Sequence, residues 1–326
     1  MNYNFEKYKE FEEKIINGKK IANILNLETR NQLNLIKNKY NKILCLNPIK
    51  YAIICVGANE ASLIYIKNKK KKSEELGICC DILNLQDDIS QNGLNNIIEN
   101  LNNDKNIFGI LIQMPLPKHL CIFDAIIKIK PEKDIDGFHP MNSGLLNICA
   151  PTNKILVPCT PQACLFLIKS CFENQKDPLA GKRILIIGRS NIVGWPLAKL
   201  LINENAVITV AHSFEKNLKS LCLQNEIIVC ATGYKYLLKE DMTHSNHIII
   251  DVGINKTQNN DGSFKIIGDA DFENIIKKVK KITPVPFGVG PMTIAFLMKN
   301  ILKSYLIQNN LFDDFFNNKE INGFIN

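Results

Sequence analysis

The chain has 326 residues, 46% of them hydrophobic and 22% charged, with a formal net charge of +8. That is the composition of an ordinary soluble protein of about two domains, and no apolar run approaches the length of a bilayer crossing, so no membrane partner is expected. The positive balance, in a chain rich in Asn, Lys and Ile, suits an anionic small ligand as well as a nucleic acid, and no nucleic-acid partner is expected. Eleven scattered cysteines, with Cys79 and Cys80 adjacent and no Cys-x-x-Cys, point to reduced thiols rather than a disulfide framework or a zinc site. Residues 1–14 mix Glu and Lys without an apolar stretch, so a cytoplasmic protein is expected.

Residues 15–42 read as one amphipathic helix, with Ile21, Ile24, Leu25, Leu33 and Ile36 roughly in phase. An aliphatic strand at 51–56 ends at Gly57, and a helix over 61–76 is stopped by Gly77. On that helix Ser62, Tyr65 and Lys69 stand three and then four residues apart and share a face. Spacing alone favours an interfacial tyrosine and a solvated lysine there. Lys67, Lys69, Lys70, Lys71 and Lys72 crowd like charges on the same helix, either as a wet face or as the seat of a polyanionic tail. A strand at 80–85, a helix at 94–101 and a buried strand at 107–112 follow. The last runs from Ile112 into Gln113-Met114-Pro115-Leu116-Pro117, where two prolines force the chain out of regular structure and leave the Gln113 amide at a strand's carboxyl end. After a helix at 123–129, Asp134 and Asp136 flank Ile135 ahead of Gly137, which by itself is turn chemistry. Val157-Pro-Cys-Thr-Pro161 marks a domain boundary, and a helix over 162–172 opens the second half.

Residues 184–187 form a short aliphatic run suited to a strand covered on both faces. Gly188 ends it, and Leu197, Leu200 and Leu201 then repeat at helical spacing. The turn between them, Gly188-Arg189-Ser190-Asn191-Ile192-Val193-Gly194, is where a doubly wound fold seats a nucleotide phosphate against free amides at a helix start. Its Gly-x-Ser-x-x-x-Gly spacing departs from Gly-x-Gly-x-x-Gly and is a weak signal alone. The strand at 206–211 ends at His212-Ser213, where an NAD enzyme presents an acidic residue to the ribose; Arg189 and Ser213 suit a 2′-phosphate, so NADP is expected. Further strands at 226–230 and 247–252 end at Ala231-Thr232-Gly233 and Gly253-Ile254-Asn255. His244 and His247 lack the further ligands a metal needs, so no metal is expected. A rigid loop of prolines and glycines from Ile282 to Thr293 precedes an apolar stripe, Ile294, Leu297, Met298, Ile301 and Leu302, that must find a partner surface. The tail from Leu311 carries no readable pattern.

Taken in order, Val56-Gly57 with Ala61-Ser-Leu-Ile-Tyr-Ile-Lys-Asn-Lys69, Gly109-Ile-Leu-Ile-Gln-Met-Pro-Leu-Pro117, Pro131-Glu-Lys-Asp-Ile-Asp-Gly-Phe-His-Pro140, Pro158-Cys-Thr-Pro161, the Gly188 to Gly194 turn, Asp251-Val-Gly-Ile-Asn255 and the Pro-Val-Pro loop resemble the bifunctional methylenetetrahydrofolate dehydrogenase/methenyltetrahydrofolate cyclohydrolase family. The resemblance runs from about residue 15 to 302. It implies two α/β domains: a folate-binding catalytic domain of residues 1–160 and 293–326, completed by the returning C-terminal helix, and an NADP-binding domain of residues 161–292 with a Rossmann-like doubly wound parallel sheet, the folate cleft lying at their junction. It implies oxidation of 5,10-methylenetetrahydrofolate with NADP and hydrolysis of the methenyl product to 10-formyltetrahydrofolate at one shared site. By position, Lys69 handles the proton of the hydrolytic step, Gln113 is its hydrogen-bond partner, Tyr65 lies against the aminobenzoate ring and Asp136 anchors the pterin. Met114, Pro115, Gly288 and Pro291 complete the implied substrate set. The implied cofactor set is Gly188, Arg189, Ser190, Ile192, Val193 and Gly194, then His212 and Ser213, then Ala231, Thr232, Gly233 and Ile254. A homodimer acting on tetrahydrofolates, including polyglutamylated forms, is implied as well. The chain departs from the family at Trp195, at Phe214-Glu215 in place of a basic residue and Thr, at Tyr234-Lys-Tyr236 in place of Gly-Lys-Pro, and at Phe287 in place of Gly. A carboxylate at position 215 would oppose a 2′-phosphate by ~1 kcal/mol if exposed.

Overall fold

The computed structural model describes residues 5–39, 48–57, 60–150, 152, 154–172, 175–258, 262 and 264–312. The chain divides into two compact units, one of Asn23–Cys159 with the chain from Ile294, the other of Thr160–Thr293 with the chain up to Ala22. The tail expected to be unreadable lies outside the described residues after Phe312, as do the end of the first predicted helix beyond Lys39 and the side chain of Ser62.

In the first unit β1 (Lys50–Val56), β2 (Cys79–Leu85) and β3 (Ile107–Ile112) form a parallel sheet in the order β2-β1-β3. The aliphatic runs of β1 and β3 are buried almost throughout, as strands covered on both faces must be. The helices Glu60–Glu75 and Gln91–Asn103 supply the crossovers, and Leu94 and Ile98 of the second pack against Ala52, Ile54, Ile110 and Ile112. That second helix is closed at both ends: the Ser90 hydroxyl accepts from the Gly93 N–H at 3.1 Å, and the buried Lys133 ammonium donates to the carbonyls of Leu101, Asn102 and Asp104 at 3.0, 2.9 and 2.8 Å. Both devices serve backbone groups that a helix end leaves without partners. The last helix, Val289–Gln308, returns to this unit as expected. Its Ser304 hydroxyl and Gln308 amide donate to the Phe108 carbonyl.

Two boundaries differ from expectation. The first helix runs over Gly18–Lys39, and its buried positions Ala22, Leu25, Thr29, Gln32 and Ile36 follow steps of three and four, which leaves Ile24 a turn-angle away and 62% exposed. The boundary helix begins at Cys159, with Pro161 inside its first turn, where no N–H is needed.

In the second unit the five-stranded sheet is parallel throughout, in the order β10 (Lys281–Ile282), β7 (Ile248–Asp251), β6 (Ile227–Cys230), β4 (Arg183–Ile187), β5 (Val207–Ala211), with β8 (Asn255–Gln258) and β9 (Phe264–Ile267) as a separate antiparallel pair. The chain leaves β4 toward β5 on one side and returns to β6 on the other, so β4 stands at a topological switch point, where doubly wound folds bind their ligands. Register brings the strand ends into line: Ile187 lies opposite both Ala211 and Cys230, and Cys230 opposite Asp251.

The segment before Ala22 belongs to this second unit, whereas residues 1–160 were expected together. Tyr8 is buried, with its ring edge-on to Phe272 at 5.2 Å and its hydroxyl donating to Glu273 at 3.2 Å, and the Ile16 N–H donates to the Ile282 carbonyl at 2.9 Å. Tyr8 and Phe11 sit at kinks, so their apolar side chains reach the core without helical periodicity and the charged pattern around them hides it. Among the described residues no helix is long and apolar enough to cross a membrane, and no group of three His, Cys, Asp or Glu could hold a metal ion.

The two histidines have a packing role. His244 and His247 stack with ring centroids 3.5 Å apart, and the buried His247 takes the His244 N–H on Nδ1 at 3.0 Å while its Nε2 bonds the Asn225 carbonyl at 2.8 Å. That is the pattern of a neutral ring, and burial, with the neighbouring His244 charge, pushes its pKa down to about 4. A depressed histidine contributes stability fully above its unfolded value near 6.5, and loses it as pH falls through about 4. The unfolding midpoint should therefore drop between pH 6.5 and 4, and His247→Gln should flatten that slope; an equal slope in both proteins would contradict this.

Candidate active site

Tyr65 and Lys69 lie one turn apart on the helix Glu60–Glu75, and both are half-buried. The Lys69 ammonium donates to Gln113 Oε1 at 3.1 Å. Gln113 is held for this by its own surroundings: its N–H extends the β3 ladder onto the Ile54 carbonyl at 2.8 Å, and its Nε2 donates to the Met114 carbonyl at 2.9 Å. With the amide nitrogen so occupied, the oxygen faces the ammonium, and the strand end and helix meet through one charge-assisted bond. Met114 is 37% exposed beside it and Pro115 follows in the same loop.

Asp136 is the third member. Burial lifts its carboxyl above the usual range, and the Lys69 charge opposes that rise, so the two side chains sense each other electrostatically. The turn that presents Asp136 is organised by Asp134, which is 2% exposed. Its Oδ2 accepts the His139 N–H at 2.7 Å and the Asn142 amide at 3.2 Å, and its Oδ1 the Gly137 N–H at 3.2 Å. Burial pushes Asp134 up to about 7 against the pull of those donors. From the last helix the buried Asn300 amide donates to the carbonyls of Ile135 and Val157 at 2.9 and 2.8 Å and lies 3.4 Å from Cys159 Sγ, fixing the backbone next to Asp136. Gly109 makes room for that backbone, since a Cβ there would stand 2.6 Å from an Ile135 methyl.

Asp134 and Asn300 hold the backbone around Asp136, with Cys159 beside Asn300, and spacing did not expose these positions. Asp134 carried only a turn signal, and the one cue to Asn300 was a lone amide inside an otherwise apolar helical stripe. The lysine row is partly neutralised within its own helix, Lys70 against Glu74 at 3.8 Å and Lys72 against Glu75 at 2.5 Å, while Lys67 and Lys71 are exposed.

The nucleotide turn is built as its glycines demand. Gly188 has φ +124°, and a Cβ on it would stand 2.3 Å from the Ala231 carbonyl oxygen; one on Gly194 would stand 2.1 Å from the Gly188 carbonyl oxygen. The Ser190 hydroxyl accepts the Val193 N–H at 3.1 Å at the start of the helix Gly194–Asn203. Arg189 is exposed and Ile192 is 44% exposed on the outside of the turn. At the end of β5 His212 is half-buried and Ser213 exposed. The Glu215 carboxylate is folded back to accept the Asn217 N–H at 2.7 Å, so it is engaged in its own turn. Ala231, Thr232 and Gly233 follow β6, and Ile254, after β7, is 48% exposed. Trp195 and Tyr234 are 53% and 69% exposed. Gly288 is buried and Pro291 half-buried. In the same loop Phe287 holds a left-handed φ of +79°, its carbonyl accepting the Lys19 N–H at 3.0 Å and its ring 5.1 Å from the Lys19 ammonium.

Two family models cover most of the chain: tetrahydrofolate dehydrogenase/cyclohydrolase, catalytic domain, over residues 16–136, and the NAD(P)-binding domain of the same family over residues 158–309. The chain belongs to this family. It is 44% identical over 294 residues to the bifunctional protein FolD of Wolbachia pipientis subsp. Culex pipiens, across 90% of this chain and 96% of the relative. It also matches the structure of bifunctional FolD, methylenetetrahydrofolate dehydrogenase/cyclohydrolase, from Campylobacter jejuni at 39% identity and a TM-score of 0.82, over 90% of this chain and 99% of that one. The Trypanosoma brucei enzyme, a structure complexed with NADP cofactor and inhibitor, matches at 30% identity and a TM-score of 0.83, over 90% and 98%.

The Gly188 cradle yields a sharp expectation. Gly188→Ala places a methyl against a backbone oxygen at a φ that L-residues avoid, so NADP should bind at least about tenfold more weakly. A calorimetric titration giving unchanged affinity would contradict it.

Proposed function

We propose that Lys69 is the proton-handling group of this enzyme, with Gln113 holding it, Asp136 anchoring the pterin and Tyr65 against the aminobenzoate ring. The chain oxidises 5,10-methylenetetrahydrofolate to 5,10-methenyltetrahydrofolate with NADP and hydrolyses that product to 10-formyltetrahydrofolate. The observation that carries the residue assignment is the 3.1 Å bond from the Lys69 ammonium to Gln113 Oε1. The residues at the carboxyl ends of the strands fit a dinucleotide, because Gly188 and Gly194 let the turn after β4 fold tightly on its own backbone and the helix start at Gly194 offers a positive dipole end to a pyrophosphate. Bound there, NADP supplies the hydride acceptor, and hydride transfer requires no residue acid or base, only orientation.

Hydrolysis does require one. Water adds to the methenyl carbon and must lose a proton, and the bond from that carbon to the ring nitrogen must then break with a proton delivered to the nitrogen while the new hydroxyl releases its own proton to solvent as the formyl C=O forms. A single amine can take the first proton and return the second. Lysine amines are ordinarily protonated near neutral pH, and an adjacent substrate cation favours the neutral form that can accept. Gln113, through its oxygen, keeps the amine oriented during both transfers. The Asp136 carboxylate suits the N–H donors of a pterin edge, and the Lys69 charge favours the ionised form needed for it.

The choice of NADP rests on the absence of an acid at the end of β5, on the exposed Arg189 and on the engagement of Glu215 in its own turn. Resemblance to the family supports a cytoplasmic homodimer. The exposed Lys67 and Lys71 support docking of a polyglutamate tail along the helix that carries Tyr65.

Lys69→Met should abolish methenyl hydrolysis while leaving measurable hydride transfer, followed as NADPH formation with accumulation of the methenyl product; normal hydrolysis would exclude the assignment. Polyglutamylated folate should bind several-fold tighter than the monoglutamate at low salt, by roughly 0.2–1 kcal/mol per screened pair, with the advantage fading as salt rises. Equal affinities would leave the lysine row as plain surface.

A further inference from the structure

Three donors converge on one oxygen in the second unit. The Thr232 N–H, the Thr232 hydroxyl and the Gly233 N–H all donate to Asp269 Oδ2, at 2.7, 2.9 and 3.0 Å. The other oxygen, Oδ1, accepts the Asn255 amide at 3.0 Å. Asp269 is wholly buried, and its own N–H is held by Asp251 Oδ1 at 3.0 Å, with Asp251 also accepting the N–H groups of Gly253 and Ala270. The packing admits nothing larger, for a Cβ on Gly253 would lie 2.1 Å from Asp269 Oδ1. One carboxylate therefore clamps the segment after β6 to the segment after β7.

We propose that Asp269 is a positioning residue for the nicotinamide cofactor, fixing the Thr232-Gly233 and Ile254-Asn255 backbones against each other from the protein side so that their outer face is preset for the ligand. The inference rests on the reading that Thr232, Gly233 and Ile254 line the cofactor. Two features of the outer face agree with it: Gly233 has φ +69° with nothing within 4 Å of where a Cβ would stand, and Ile254 is 48% exposed despite its apolar side chain. The clamp needs a carboxylate rather than an amide. An ionised acid only accepts, whereas an Asn that turns its oxygen toward the three donors sets its NH₂ against the Asn255 NH₂, and one that turns its NH₂ toward them leaves all three donors without an acceptor.

The test uses the full chain, with NADP affinity measured by titration without folate, and the folate KM and thermal midpoint measured in parallel. Asp269→Asn should weaken NADP binding at least about tenfold while the folate KM stays within about twofold, a split that a general loss of stability would not produce. Unchanged NADP affinity in a folded Asp269→Asn protein would overturn the proposal. If that protein does not fold, Thr232→Val and Asn255→Ala loosen the same carboxylate from its two sides. Weakened NADP binding that is non-additive in the double variant supports the clamp, and no loss, or simple additivity, overturns it. Gly233→Val separates the proposal from the reading beneath it. Unchanged NADP binding in that variant removes the cofactor from this loop and the proposal with it, whereas weak binding in Gly233→Val beside normal binding in Asp269→Asn rejects the role of Asp269 alone.

Discussion

An ammonium on a helix and an amide oxygen at a strand end, 3.1 Å apart, depend on three separate pieces of the first unit being in register. The helix Glu60–Glu75 must turn Lys69 inward, β3 must stop at Ile112 so that Gln113 is the first residue beyond it, and the Pro115 loop must take up the Gln113 amide nitrogen. Each requirement is met by an ordinary device: a parallel pair fixing the strand's register, a proline-rich exit, and a helix crossover of fixed length. A single displaced turn would point Lys69 elsewhere, because helix faces repeat only every three to four residues.

Buried polar groups hold the rest of both units. In the first, Asp134 gathers the turn that carries Asp136, Lys133 closes a helix, and Asn300 ties the returning helix to the same backbone. In the second, Asp251 and Asp269 gather the strand-end segments. Such groups cost free energy to bury and return it only when every donor and acceptor is matched, so they fix backbone position more narrowly than apolar packing does. That narrow placement is what holds the Asp136 turn in one position.

The strands and helices were legible because aliphatic runs such as 107–112 and 184–187 have one physical solution, and the glycines after them have another. The doubly wound sheet and the return of the last helix followed from the same patterns. Tyr65 and Lys69 could be placed on one face by spacing, but spacing favoured a solvated lysine, and only the order of the family's motifs pointed to Lys69 as reactive. Asn300 and Asp269 stayed hidden because their partners lie far away in sequence, as with Asn300 and the Ile135 carbonyl, 165 residues away, whereas Asp134 bonds inside its own turn and so reads as turn chemistry alone. The placement of Tyr8 in the second unit was masked by charged neighbours and by backbone kinks that break helical period.

The central claim is that Lys69 works by exchanging a proton and not merely by carrying charge. Arginine keeps the positive charge and a hydrogen bond to Gln113 but does not give up its proton in a protein. Single-turnover kinetics of Lys69→Arg should show NADPH forming at a measurable rate while the methenyl intermediate accumulates and decays no faster than it does in buffer. Decay of that intermediate at the rate seen with the unsubstituted enzyme would contradict the account.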